Sequence, residues 1–365
     1  MKVAFFLPHG TKGGAEQLLL QVARECYSRN FEITFFFLTN KDVRSFKAEF
    51  PSFNVKFIIC PVKSERYGFL LAPFYFLYHF RIKKFDWLMS SHVHINGLVG
   101  ILRNWRLIST EKHIGRESTQ VFRRYKGKEL RKLLPFYKYG YKYIDLLVCQ
   151  TEAMKIDFIS NVPWISNKTK VVAMSNPINL KEVLIKSDAE IVLPESKYIV
   201  AAGSLFPVKG FDILIRSFKH LTITYPDLHL VILGKGHLES ELRSLVETLQ
   251  LTTKVHLDGW VDNVYAYFKN AEACVVSSLI EGFPNVILQQ MSCNTAVVST
   301  RCTDGIDAIP GLDLCPPNDV DALASSLALA LKSDNAMNRL LFNNYLNSNT
   351  IDNYVDRLML HINDR

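Results

Sequence analysis

The chain has 365 residues, long for one domain and sufficient for two, and 48% of them are hydrophobic, which excludes a disordered polypeptide. The net charge of +8 conceals an asymmetry: residues 1–177 hold 28 Lys and Arg against 13 Asp and Glu, a net of +15, and the remainder is −7. Seven cysteines, an odd number without a C-x-x-C pair, argue against a disulfide frame or a zinc site and for reduced cytosolic thiols.

The first residues, MKVAFFLP, are too short for a signal-peptide core and read as a first strand. Apolar runs at 3–7, 33–38, 55–59, 87–89, 107–109, 146–149 and 171–174 read as strands, with amphipathic stretches between several of them. That alternation predicts a parallel, doubly wound sheet. After the first strand, Gly13 and Gly14 open a helix and let a ligand approach its N-terminus. The fourth strand leads into Ser90-Ser91-His92-Val93-His94, where a histidine either contacts a ligand or caps the next element; spacing favours His92, with His94 the alternative. Arg116 and Glu117 stand at the next strand's exit, where Arg116 meets an acceptor phosphate or forms a surface salt bridge.

Two stretches of this half point to a surface partner. Residues 69–80 form the longest apolar run, too short to span a bilayer, interrupted by Pro73 and followed by Arg81, Lys83 and Lys84. Residues 122–142 carry eight basic residues and one acid, interleaved with Phe, Tyr and Leu. An anionic membrane surface is the preferred partner. A solvated basic face and nucleic acid are the alternatives, and no nucleic-acid motif accompanies the segment.

Residues 178–196 mix charges without a strong period, as a linker does. The second half repeats the strand–loop–helix pattern. Lys209 precedes Gly210 at a helix start, where a cation neutralises phosphate if it faces a cleft. Gly234 and Trp260 follow further strands. The run 273–276 reads as a buried strand, and Glu281-Gly282-Phe283-Pro284-Asn285-Val286 follows it. A carboxylate at a strand's carboxyl end, beside a helix start with Pro284 in its first position, offers a hydroxyl acceptor next to an anion cradle. A plain Glu favoured by the helix dipole is the alternative. Asp319-Val320-Asp321 is the one Asp-x-Asp and reads as a helix cap.

The stretch from Ser278 to Met291 resembles the signature of glycosyltransferase family 4, in which a Glu is followed after seven residues by a second Glu, then a small residue and Met. Glu281 matches the first Glu and Met291 the Met, while Gln289 stands in place of the second Glu. Gly13-Gly14-Ala15-Glu16 resembles that family's N-terminal loop. Lys209-Gly210 matches its diphosphate motif, with Ser204 where an Arg is usual and Arg301 a candidate substitute. The resemblance implies a GT-B fold, two Rossmann-like domains facing across a cleft. Residues 1–177 would bind the acceptor, 178–345 the donor, and 346–365 would form a helix packing back on the first domain. It implies a retaining hexosyltransferase without metal or other cofactor. The donor is a nucleotide sugar, UDP-linked by preference, and the acceptor a glycan or polyprenyl-linked glycan in cell-surface polysaccharide or lipopolysaccharide synthesis. Glu281, His92 and Lys209 would be catalytic. Gly14, Ser204, Lys209, Gly234, Trp260, Glu281, Gly282, Phe283, Pro284, Asn285, Val286 and Gln289 would line the donor site, and Gly13, Arg116 and Glu117 the acceptor site. The protein is expected in the cytoplasm, peripheral on the inner face of the membrane. The alternative is a GT-B protein that binds a sugar nucleotide or anionic lipid without turnover.

Overall fold

A computed structural model describes residues 1–11, 13–50, 54–80 and 84–364; Lys12, Arg81 and Lys83 lie outside them, as do the side chains of Phe76, His79 and Phe80. The chain divides into two compact units, Met1–Pro177 with Ile351–Arg365, and Ile178–Thr350.

Among the described residues unit 1 holds seven strands: β1 Lys2–Leu7, β2 Glu32–Phe37, β3 Val55–Ile59, β4 Phe85–Ser91, β5 Thr110–Arg116, β6 Leu146–Cys149 and β7 Lys170–Ala173. They are parallel, in the order β3-β2-β1-β4-β5-β6-β7. The order reverses between β1 and β4, so the carboxyl ends of those two strands form a topological switch point. Phe5, Phe35, Phe37 and Trp87 fill one face of the sheet with Val355 and Leu358 of the helix Ile351–Asn363. β5 lies at 110–116 rather than at 107–109. Its polar sequence is tolerated in mid-sheet because buried His113 hydrogen-bonds Ser90 Oγ at 2.8 Å.

Unit 2 holds β8 Tyr198–Ala202, β9 His229–Leu233, β10 Val255–Gly259, β11 Ala273–Val276, β12 Val297–Thr300 and β13 Asp313–Cys315. All pair in parallel, in the order β10-β9-β8-β11-β12-β13, and the reversal falls between β8 and β11. The expected linker contains the helix Leu180–Ser187, which belongs to this unit. Asn179 caps it, accepting from Glu182 N at 3.2 Å, and Asn263 Nδ2 donates to Lys186 O at 2.7 Å. The unit ends at Thr350 rather than 345, because Phe342 and Leu346 of the helix Ala336–Ser348 are buried in its core.

Candidate functional site

In unit 2 the switch point between β8 and β11 brings Lys209 and Glu281 together. Lys209 Nζ donates to Glu281 Oε1 at 2.5 Å, and Ser278 Oγ donates to the same oxygen at 3.0 Å. The backbone around the pair is closely tied. Ser277 Oγ donates to Lys209 O at 2.8 Å, Leu279 N to Val208 O at 2.8 Å, and Glu281 N to Cys302 O at 2.7 Å. Gly210 has φ +61°, and a Cβ there would lie 2.3 Å from Ser277 O. The Lys-Gly pair thus reflects a backbone approach that no other residue permits. Thr303 Oγ1 accounts for Gly282 O at 2.7 Å. The arrangement is a carboxylate and an ammonium held on one spot by two loops, with a helix starting four residues on.

The remaining donor candidates divide. Pro284 is the N-cap of the helix Asn285–Cys293, not its first residue, with ψ 95°. Gly282 and Pro284 are buried, and Asn285 and Val286 half-buried, at the start of this helix. Phe283 is buried in the unit's core among Ile287 and Cys302, so its side chain supports the loop and does not face a ligand. Gln289 Nε2 donates to Tyr265 OH at 3.3 Å, which leaves its Oε1 as acceptor. Gly234 N donates to Gly259 O at 2.7 Å, tying the turns after β9 and β10, and Trp260 is exposed just beyond. Ser204 is exposed. Arg301, the candidate substitute cation, has its Nε paired with Asp307 Oδ1 at 2.8 Å in an exposed ion pair. Asp319 caps the helix Val320–Lys332, accepting from Ala322 N at 2.9 Å.

In unit 1 the switch point between β1 and β4 holds Gly13, Gly14, Glu16 and His92. Gly14 is the first residue of the helix Gly14–Ser28, and Gly13 its N-cap. His92 Nε2 lies 2.8 Å from Glu16 Oε1. Burial works to raise the Glu16 carboxyl's pKa, but the His92 hydrogen bond and charge outweigh it and hold it below the usual carboxylate range. His92 itself adopts φ +72° and ψ 138°, a conformation that costs a non-glycine residue about 1–3 kcal/mol. It precedes the helix Val93–Asn104 without making a side-chain cap. His94 stacks on it with ring centroids 5.7 Å apart. Burial, then the charges of His92 and His9, push His94 down to about 4. Its Nε2 turns toward Glu65 Oε2 at 3.6 Å.

Arg116 and Glu117 are not presented to an acceptor. Both are buried, because β5 lies inside the sheet and turns these residues inward. Arg116 Nη2 donates to Asn176 Oδ1 at 2.7 Å, and among the described residues it forms no surface ion pair. Glu117 accepts from Tyr141 OH. Burial pushes Glu117 up to about 7 against those hydrogen bonds. Asn96 Nδ2 donates to Arg116 O at 3.0 Å and to Tyr141 OH at 3.2 Å, and Ser90 Oγ donates to Asn96 Oδ1 at 2.8 Å. No local sequence signal marks this network, whose members come from β4, β5 and two helical segments. The same holds for Tyr265, whereas Glu16 lies in the Gly13-Gly14-Ala15-Glu16 loop and only its pairing with distant His92 is hidden from the local sequence.

The basic segment forms the helices Val121–Arg124 and Gly127–Gly140. The second packs tightly on Val93–Asn104: a Cβ at Gly100 would lie 2.1 Å from Gly140 O. The Phe136 ring packs at a tilt on Phe69 of the helix Glu65–Phe80, centroids 5.8 Å apart. That helix leaves Tyr67, Leu70, Leu71, Phe74 and Tyr78 exposed, Phe74 at 76%. Among the described residues no helix is long and apolar enough to cross a membrane. A groove of about 410 Å³ lined by Lys112, Thr169 and Lys170 opens at the opposite end of unit 1's strands, away from His92.

Residues 186–346 match the family of glycosyl transferases group 1. The fold matches Anabaena HepE, solved in complex with UDP, with a TM-score of 0.77 over 99% of both chains at 14% identity. The chain has the GT-B fold, and the matched part of its second unit is similar to the glycosyl transferases of group 1. An uncharacterized glycosyltransferase of Methanocaldococcus jannaschii is 36% identical over 184 residues, 49% of this chain and 44% of that protein. The match therefore spans less than half of that relative's length. The N-acetylgalactosamine-N,N'-diacetylbacillosaminyl-diphospho-undecaprenol 4-alpha-N-acetylgalactosaminyltransferase of Campylobacter jejuni is 28% identical over 317 residues, 86% of this chain and 84% of that protein.

Proposed function

We propose that this GT-B glycosyltransferase moves a hexosyl group from a nucleotide sugar, UDP-linked by preference, to a hydroxyl of a glycan or polyprenyl-linked glycan, with retention. The observation that carries the reading is the Lys209–Glu281 pair at the β8/β11 switch point, beside the helix Asn285–Cys293. Lys209 and the helix N-terminus meet the leaving diphosphate, in place of a metal. Glu281 orients donor hydroxyls, Gln289 takes a ribose hydroxyl, Trp260 packs the base and His92 contacts the transferred sugar. No carboxylate is assigned as a covalent nucleophile. The bond from the anomeric carbon to the diphosphate oxygen breaks, the acceptor oxygen bonds to the same face, and the leaving phosphate oxygen takes the acceptor proton. The UDP in the Anabaena complex and the lipid-linked acceptor in the Campylobacter enzyme's name support the choice of donor and acceptor classes.

The acceptor class gives meaning to the exposed aromatic helix Glu65–Phe80 and the cations of 122–142. In this reading they seat unit 1 on the anionic inner face of the cell membrane. The test is a panel of UDP-glucose, UDP-galactose, UDP-N-acetylglucosamine and UDP-N-acetylgalactosamine. A ligand selective for the native state raises its melting temperature. One of them should do so and release UDP in the presence of EDTA. No stabilisation and no release by any nucleotide sugar would leave the non-catalytic alternative standing.

A further inference from the structure

We propose that Glu16 is a positioning residue that holds the His92 ring in one orientation and one tautomer. The inference rests on the reading of His92 as the residue that contacts the transferred sugar. The Glu16 side chain is only 5% exposed, whereas His92 is 29% exposed. Glu16 is held ionised, and a carboxylate only accepts, so the 2.8 Å contact is Nε2–H of His92 donating to Oε1. In the neutral ring the proton is thereby assigned to Nε2, and Nδ1 is left as the acceptor. Ser118 Oγ lies 3.5 Å from that Nδ1, marking the direction from which a hydroxyl arrives. A sugar hydroxyl that takes the place of Ser118 Oγ donates to Nδ1.

Three further features fit this role and not a filling or capping one. His92 caps nothing, although it occupies an N-cap position. Its backbone keeps φ +72° and ψ 138°, so the surrounding fold maintains an unfavourable conformation that aims the ring at Glu16. Gly13 leaves room for the carboxylate: a Cβ there would stand 2.7 Å from Glu16 Oε2. Part of the glycine-rich loop is therefore shaped around Glu16 itself.

The full-length protein labelled with ¹⁵N-histidine tests this, with the His92 signals assigned from a His92→Gln variant. The wild type should show the proton on Nε2. Glu16→Gln, which keeps one acceptor oxygen, should retain it, and Glu16→Leu should show mixed tautomers. An unchanged ring in Glu16→Leu overturns the proposal. With the UDP-sugar that stabilises the protein most, Glu16→Leu should lower kcat about tenfold or more with little change in KM, and Glu16→Gln much less. On a His92→Ala background Glu16→Leu should cost less than twofold, since it acts through the ring. Full additivity of the two losses overturns the proposal. If His92→Ala turns over like wild type, the assignment of His92 to the sugar fails. The spectra then decide separately whether Glu16 sets the ring. Should Glu16→Leu not fold, a His92 tautomer in Glu16→Gln identical to wild type, with kcat within threefold, is the supporting result; a tenfold loss with an unchanged tautomer is the overturning one.

Discussion

Lys209 and Glu281, 72 residues apart, are each other's ion-pair partner, with Nζ and Oε1 at 2.5 Å. A diphosphate reaching Lys209 therefore competes with Glu281. Removing the carboxylate frees the ammonium, so the two variants should move opposite quantities. Glu281→Ala should bind UDP as well as wild type or better, while turnover falls about 100-fold. Lys209→Ala should weaken UDP binding about tenfold or more, and Lys209→Arg less. Calorimetry with UDP and initial rates with the best donor check this. Weaker UDP binding in Glu281→Ala would show that the pair does not compete in this way.

Gln289 gives its amide NH₂ to Tyr265 OH, leaving Oε1 for a ribose hydroxyl. Gln289→Glu should be equal or better in donor affinity, because Tyr265 OH can turn to donate and the carboxylate strengthens the ribose contact. Gln289→Ala should raise the donor KM more than it lowers kcat. Tyr265→Phe should raise KM by about fivefold, equivalent to one hydrogen bond of about 1 kcal/mol. An unchanged KM in Gln289→Ala would remove Gln289 from the ribose site.

Vesicle binding should divide between two elements of unit 1. Replacing Arg123, Arg124, Lys126 and Lys128 with Ser should weaken binding to anionic vesicles by up to about 1 kcal/mol per charge, mostly at low salt. Phe74→Glu with Leu70→Glu should remove the share that survives high salt, since both side chains are exposed on the helix Glu65–Phe80. Flotation with phosphatidylglycerol and phosphatidylcholine vesicles distinguishes them. Equal flotation of all variants would mark the segment as a solvated face, and retention on DNA in place of vesicles would mark it as a nucleic-acid site.

Glu117 makes stability depend on pH in a defined direction. Its pKa in the fold is raised to about 7 by burial, above its unfolded value. The stabilisation is fully present below the unfolded pKa and is lost as pH rises through about 7. The loss is at most about 3 kcal/mol. His94 and His113, lowered by burial to about 4 and about 3, act in the opposite sense in acid. The difference between Glu117→Gln and wild type therefore isolates the carboxyl. The variant should gain relative stability from pH 5 to pH 8 in urea unfolding. A difference that does not vary with pH would contradict the assignment.

Local sequence determined what depends on neighbours along the chain. Buried parallel strands read as apolar runs, because both faces of such a strand must leave water, and β5, with its polar Thr110–Arg116, is the exception. Lys209-Gly210 was legible as a helix start, and Asp319 as a cap because a cap bonds three residues on. Tertiary structure alone decided what depends on strand order. The reversals at β1/β4 and β8/β11 brought Glu16 to His92 and Lys209 to Glu281, across 76 and 72 residues. The same packing hid Arg116 and Glu117, whose charges signal a surface in any local reading. Asn176 and Tyr141, which meet these two here, come from chain segments that no window around residue 116 contains.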